Sequence, residues 1–188
     1  MYDKKIFDLA NSKFLSKELS LIESDVSERC ICASLKGYLE KEIEKYSKYK
    51  KYHVDVEYNR NAGHVKTIIN SDFKVIQVTC DLIIHSRGED EKNDNLIALE
   101  MKKSYQSEEN KNSDRERLIA LTRSENTNDV WSFDGKTFPR YVCGYKLGIY
   151  YEIDLPNRII LIEYYRGGNL VGKDIKRLKK QFYTAKRQ

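Results

Sequence analysis

At residue 53 the spacing of apolar side chains changes from threes and fours to the pattern of strands, so the fold must carry helices before that point and a sheet after it. Upstream, DVSERCICASLKGYLEKEIEKY places Ile31, Leu35, Tyr38, Leu39, Ile43 and Tyr46 at helical intervals, which predicts a helix burying one stripe. Asp25, with Glu28 three residues on, reads as its capping box. Before it, Ile6, Phe7, Leu9, Phe14, Leu15, Leu19 and Leu21 suit one or two short amphipathic helices. Downstream, HVDVEYNR, VKTII, VIQVTCDLIIH and NLIALEMKKS are rich in β-branched and aromatic residues and are broken by the polar turns NAGH and SRGEDEKNDN. A second helix is expected over NSDRERLIALTRSEN, opened by Ser113 and Glu116.

Two more strands, YVCGYKLGIYYEI and RIILIEYYRGG, meet at a turn around Pro156 and Asn157, and KDIKRLKKQFYTAKRQ reads as helical. The expected architecture is α/β, a mixed central sheet flanked by helices, in a single domain. Its parts are N-terminal helices 1–50, a core 51–168 and a basic C-terminal helix 169–188. A length of 188 residues suits one such domain.

Thirty-four Lys and Arg against 29 Asp and Glu leave a net charge of +5, which permits a polyanionic partner without requiring one. The four cysteines, Cys30, Cys32, Cys80 and Cys143, lack zinc-knuckle spacing and read as free thiols. MYDKKIFDLANSKF has no apolar run of signal-peptide length, and no segment approaches a membrane span, so a cytoplasmic protein with no membrane partner is expected.

The chemistry lies in the strand region. Side chains alternate along a strand, so Glu100 and Lys102 project together from LIALEMKK while Ile97, Leu99 and Met101 project into the opposite layer. Asp81 sits in the preceding strand candidate, and the ten residues Ser86 to Asn95 can turn the chain back to set it beside Glu100. Two carboxylates so placed repel each other unless a cation lies between them, and oxygen ligands favour Mg²⁺ or Mn²⁺. A neighbouring lysine can orient or deprotonate an attacking water, or neutralise charge developing on a phosphate.

D-x(18)-E-x-K, with Asp81, Glu100 and Lys102, resembles the active-site motif of the PD-(D/E)xK nuclease superfamily. Ser27-Glu28-Arg29, Tyr58-Asn59-Arg60, Leu99-Glu100-Met101-Lys102 and Asp114 follow in the order of small restriction-endonuclease-like proteins, over roughly residues 25 to 153. The sequence departs from the family at residues 79 and 80, Thr and Cys, where a proline normally precedes the aspartate. The resemblance implies a restriction-endonuclease-like fold and Mg²⁺-dependent hydrolysis of phosphodiester bonds, most often in DNA. It also implies a metal held by Asp81 and Glu100, joined by the Met101 carbonyl and by Glu28. The other reading of Glu28 is a cap for its own helix.

Arg60, Lys66 and Lys103 are the expected nucleic-acid contacts, with solvated surface charge as the alternative; Arg115 and Arg117 are weaker candidates. His85, in phase with Asp81, can approach the site or serve as a polar rim residue. Two functions compete: a DNA endonuclease of a restriction or anti-phage system, and a catalytically silent nucleic-acid-binding or complex-forming module on the same scaffold. A homodimer or larger assembly is compatible with either.

Overall fold

The structure, a computed structural model, describes residues 2–61, 64–65, 67–69, 75–90, 93–123 and 142–179. Three helices come first: α1 (Tyr2–Lys17), α2 (Leu19–Glu23) and α3 (Glu28–Ile43), followed by a 3₁₀ turn at Ser47–Tyr49. The strands β1 (His53–Val56), β6 (Leu82–His85), β7 (Asn95–Lys103), β8 (Leu147–Asp154), β9 (Ile159–Arg166) and β10 (Asn169–Arg177) form one sheet. Two small antiparallel pairs lie apart from it, β2 (Arg60–Asn61) with β3 (His64–Val65), and β4 (Thr67–Ile69) with β5 (Val75–Gln77). Helix α4 (Glu108–Thr122) lies between β7 and β8 in the chain.

The six-stranded sheet runs in the order β1-β6-β7-β8-β9-β10. Every neighbouring pair is antiparallel except β7 and β8, which are parallel. A parallel pair needs a long crossover, and the segment containing α4 supplies it. The expected mixed α/β sheet flanked by helices is therefore present.

Alternation sorts the side chains into two layers. Leu82, Ile84, Ile97, Leu99, Met101, Ile149 and Tyr151 pack beneath α1 and α3 with Phe7, Phe14, Ile31, Leu35 and Leu39. On the other face Ile83, Ala98, Tyr150 and Tyr165 pack with Leu118 and Leu121 of α4. Helix α1 is bound across the C-terminal strands: Arg166 donates to Asp3 at 2.7 Å, Tyr164 to Asp8 at 3.0 Å and Tyr151 to Asn11 at 3.0 Å.

Four local expectations are corrected. Helix α3 is capped by Ser27, whose hydroxyl accepts from the Cys30 amide, and Asp25 lies outside it at φ 51°. Helix α4 starts at Glu108 with Ser107 as cap, not at Ser113; Glu108 and Glu109 suit the positive end of the helix dipole. The run VIQVTCDLIIH divides into β5 and β6, with Asp81 just ahead of β6. Residues 169–177, expected to begin a basic helix, form β10, because Gly167 at φ 55° and Gly168 at φ 77° make the tight reversal that returns the chain along β9. The end of that expected helix, 180–188, lies outside the described residues. Among the described residues no helix is long and apolar enough to cross a membrane.

Gly148 sets how closely α4 approaches the sheet. A Cβ there would stand 2.9 Å from Thr122 Cγ2, 3.2 Å from Tyr165 Cβ and 3.4 Å from Leu118 Cβ. Gly148→Ala must push α4 outward, and a loss of about 2 kcal/mol is expected in chemical denaturation; an unchanged midpoint would refute this account of the helix seat.

Candidate functional site

Strand β7 outruns its neighbour. Its pairing with β6 ends at Leu82↔Leu99, while its pairing with β8 continues to Lys103. Beyond Leu99 the edge that faced β6 is open, and the main-chain groups of Met101 and Lys103 point out of it. Carboxylates take the place of the missing strand. Asp81 Oδ2 accepts from the Met101 amide at 2.7 Å, and Glu28 Oε1 accepts from the Lys103 amide at 2.8 Å. Because the N–H and C=O of a strand residue share an edge, the Met101 carbonyl faces the same side as Asp81. Glu28 thus binds the sheet rather than capping α3, a role Ser27 fills.

Asp81 lies one residue ahead of β6, whose Ile83 belongs to the α4 layer. Glu100 and Lys102 share that layer with Ala98. The Asp81 charge acts on both Glu100 and Lys102, so the three side chains are near enough to influence one another. Glu100 is 1% exposed and accepts from Arg117 Nε at 3.0 Å. Arg117 also donates to Asp114, and the other oxygen of Asp114 lies 2.9 Å from Lys102 Nζ, which in turn stands 3.7 Å from Glu28. Charges of alternating sign run Glu100, Arg117, Asp114, Lys102, Glu28.

Helix α4 provides half of this chain because its inward stripe changes character along its length. At helical spacing the buried positions run Lys111, Asp114, then Leu118, Leu121 and Thr122. The sheet beneath changes in step: Ala98 pairs with Gly148 under the apolar turns, while Glu100 pairs with Tyr150 and Lys102 with Glu152 under the ionic ones. Arg115 belongs to this ionic half, donating to Glu163 at 2.8 Å with its guanidinium 4.1 Å from the centre of the Tyr150 ring.

Burial drives the electrostatics. It pushes Asp81 up to about 6, with Asp114 and Glu28 adding repulsion against the pull of the Met101 amide and Lys102. Burial, and then the Asp81 charge, push Glu100 up to about 8 despite Arg117. Lys102 moves the opposite way to what burial alone would do: its bond to Asp114 and the charges of Asp114, Glu28 and Asp81 hold its amine above the ordinary lysine value. It is an ammonium at neutral pH, which favours a role in holding water or phosphate over one as a base.

The remaining candidates separate. Lys103, 3% exposed, pairs with Asp25, so its ammonium is committed to an ion pair rather than to an outside phosphate. For Arg60 only the backbone is described, and Lys66 lies outside the described residues. His85 is bonded to Asp55 at 3.0 Å, beside the Arg87 fork. Although burial opposes it, hydrogen bonds from Arg87 and His85 hold Asp55 down at about 2. Arg117, a candidate for a nucleic-acid contact, is instead bonded to Glu100; it stands three residues past Asp114 and four before Leu121, on the inward side of α4.

No protein-family model, curated protein or solved structure matches this chain.

The raised carboxyls make stability depend on pH. Protons that Asp81 and Glu100 keep in the folded state would be released by the unfolded chain, so their contribution is complete below pH ~4 and is lost as pH rises through about 6 and 8. Denaturation in EDTA is expected to show stability falling from pH 5 to pH 8.5, with most of the slope removed in Glu100→Gln. A flat profile in the native protein would contradict the burial assigned to Glu100.

Proposed function

We propose that the protein is a metal-dependent nuclease that hydrolyses phosphodiester bonds, in DNA first of all, on a restriction-endonuclease-like scaffold. The observation that supports this reading is Asp81 on the Met101 amide at the open edge of β7, with its charge acting on Glu100 and Lys102 of the same strand. The order and spacing of these residues resemble the PD-(D/E)xK motif, and the resemblance supplies the reaction class.

The residues fit a hard divalent cation in donor chemistry. Two buried carboxyls stand above their ordinary pKa, so added positive charge there is favourable, and a main-chain oxygen lies at the same edge. Among the described residues no group of three or more His, Cys, Asp or Glu side chains could by itself hold a metal ion; a cation here would rest on Asp81, Glu100 and the Met101 carbonyl, with water completing its shell. Glu28 reaches the same edge but is occupied by the Lys103 amide. Bound Mg²⁺ or Mn²⁺ would supply Lewis-acid polarisation of the phosphate.

The protein's own groups do the rest. Asp114 and Glu28 fix the Lys102 ammonium at the rim, where it can donate to a phosphate oxygen or hold the attacking water. The Glu28 and Asp81 carboxylates keep the β7 edge from taking up another strand and so leave it open to substrate.

A second reading rests on the same ion pairs. Glu100 already has Arg117 and Lys102 already has Asp114, so the charges balance without an added ion, as in a nucleic-acid-binding or complex-forming module that does no catalysis. Cleavage assays separate the two. The native protein is expected to cut single- or double-stranded DNA with Mg²⁺ or Mn²⁺ and not with EDTA, and Asp81→Asn or Lys102→Ala to cut at least ~100-fold more slowly while keeping a native circular dichroism spectrum. No cleavage of any DNA or RNA, with metal-independent DNA binding unaffected by Glu100→Ala, would replace the nuclease reading with the second one.

A further inference from the structure

We propose that Arg117 is a built-in counter-cation for Glu100 that a divalent ion displaces, and that Asp114 is the positioning residue that retains the displaced guanidinium. The inference rests on the nuclease reading above and adds a competition inside the site.

Glu100 is 1% exposed and takes one hydrogen bond from Arg117, through Nε at 3.0 Å. An ion bound by Asp81 and Glu100 and a guanidinium at the same carboxylate are like charges at close range in a poorly solvated place, where repulsion is strong. The ion therefore weakens the hold of Arg117 on Glu100. Arg117 has somewhere to go. Its side chain is 23% exposed, one terminal nitrogen is bonded to Asp114 one turn earlier in α4, and the other lies 3.5 Å from Ser113 Oγ. Leaving Glu100 therefore costs Arg117 one contact out of three and does not leave it without a carboxylate.

Asp114 suits the retaining role because it is 2% exposed and holds cations with both oxygens, Arg117 on Oδ1 and Lys102 on Oδ2. A displaced Arg117 stays beside Lys102 as a second fixed cation at the rim, and a guanidinium presents the flat pair of donors that suits a phosphate. A purely structural ion pair behaves differently, since removing it would only loosen the site and weaken ion binding.

The test is calorimetric titration of Mn²⁺ into the full chain at pH 8.5, comparing the native protein with Arg117→Gln, with circular dichroism as the fold check. Arg117→Gln is expected to bind Mn²⁺ roughly tenfold tighter. In the native protein, where folding is not in question, the Arg117 Nε–H signal in a ¹H–¹⁵N spectrum is expected to lose its Glu100-bonded position on saturation with Mg²⁺. Equal or weaker Mn²⁺ binding by a folded Arg117→Gln, or an unmoved Nε–H signal while Mg²⁺ binds, overturns the displacement and leaves the nuclease reading standing. If neither protein takes up Mn²⁺, both fall.

Discussion

The open half of the β7 edge is the constraint around which the rest is arranged. A strand edge left bare exposes amides that must find partners or attract another strand. Here β6 stops at Leu82, and the two amides that it would have covered next are taken by side chains from different parts of the chain, Asp81 ahead of β6 and Glu28 at the start of α3. A backbone requirement thus gathers acids at the place where Glu100 and Lys102 rise from the same strand. The cluster follows from the sheet's unequal strand lengths before any catalytic demand is invoked.

Helix α4 turns that accumulation into an ordered set of charges. Its apolar half is seated on Ala98, Gly148 and Tyr165 and fixes the position of the helix, while its ionic half lies over Glu100, Lys102, Glu152 and Glu163. Buried ion pairs rarely improve stability over apolar packing of the same volume, because desolvation offsets their attraction. A fold selected for stability alone would gain by filling this half with leucines. Stability alone therefore does not account for the ionic half.

Alternation within LIALEMKK suffices to put Glu100 and Lys102 on one face, and the polar run 86–95 suffices to bring Asp81 back towards them; both were legible because they depend on local geometry. The helix starts were harder. Ser27 and Ser107 each compete with a nearby acid-containing capping pattern, and local chemistry does not rank them. The β10 segment is hard to read locally because Lys173, Lys176 and Arg177 suit a helix, while the deciding signal, Gly167 and Gly168, lies ahead of it. The Arg117 contact depends on how far α4 is rotated over the sheet, which Gly148 and Thr122 determine at long range.

The bonds that tie α1 across β8 and β9 bear on the order in which the molecule can assemble. Its partners Tyr151 and Arg166 follow it by 140 and 163 residues. During synthesis α1 therefore emerges long before β8 and β9, and until then its apolar face, Phe7 and Phe14 included, shares its core only with α2, α3 and the strands up to β7. Such distant closures are slow relative to local ones. The seat of α1 is complete only once β8 and β9 are in place, and a nascent chain halted before residue 151 lacks that part of its floor.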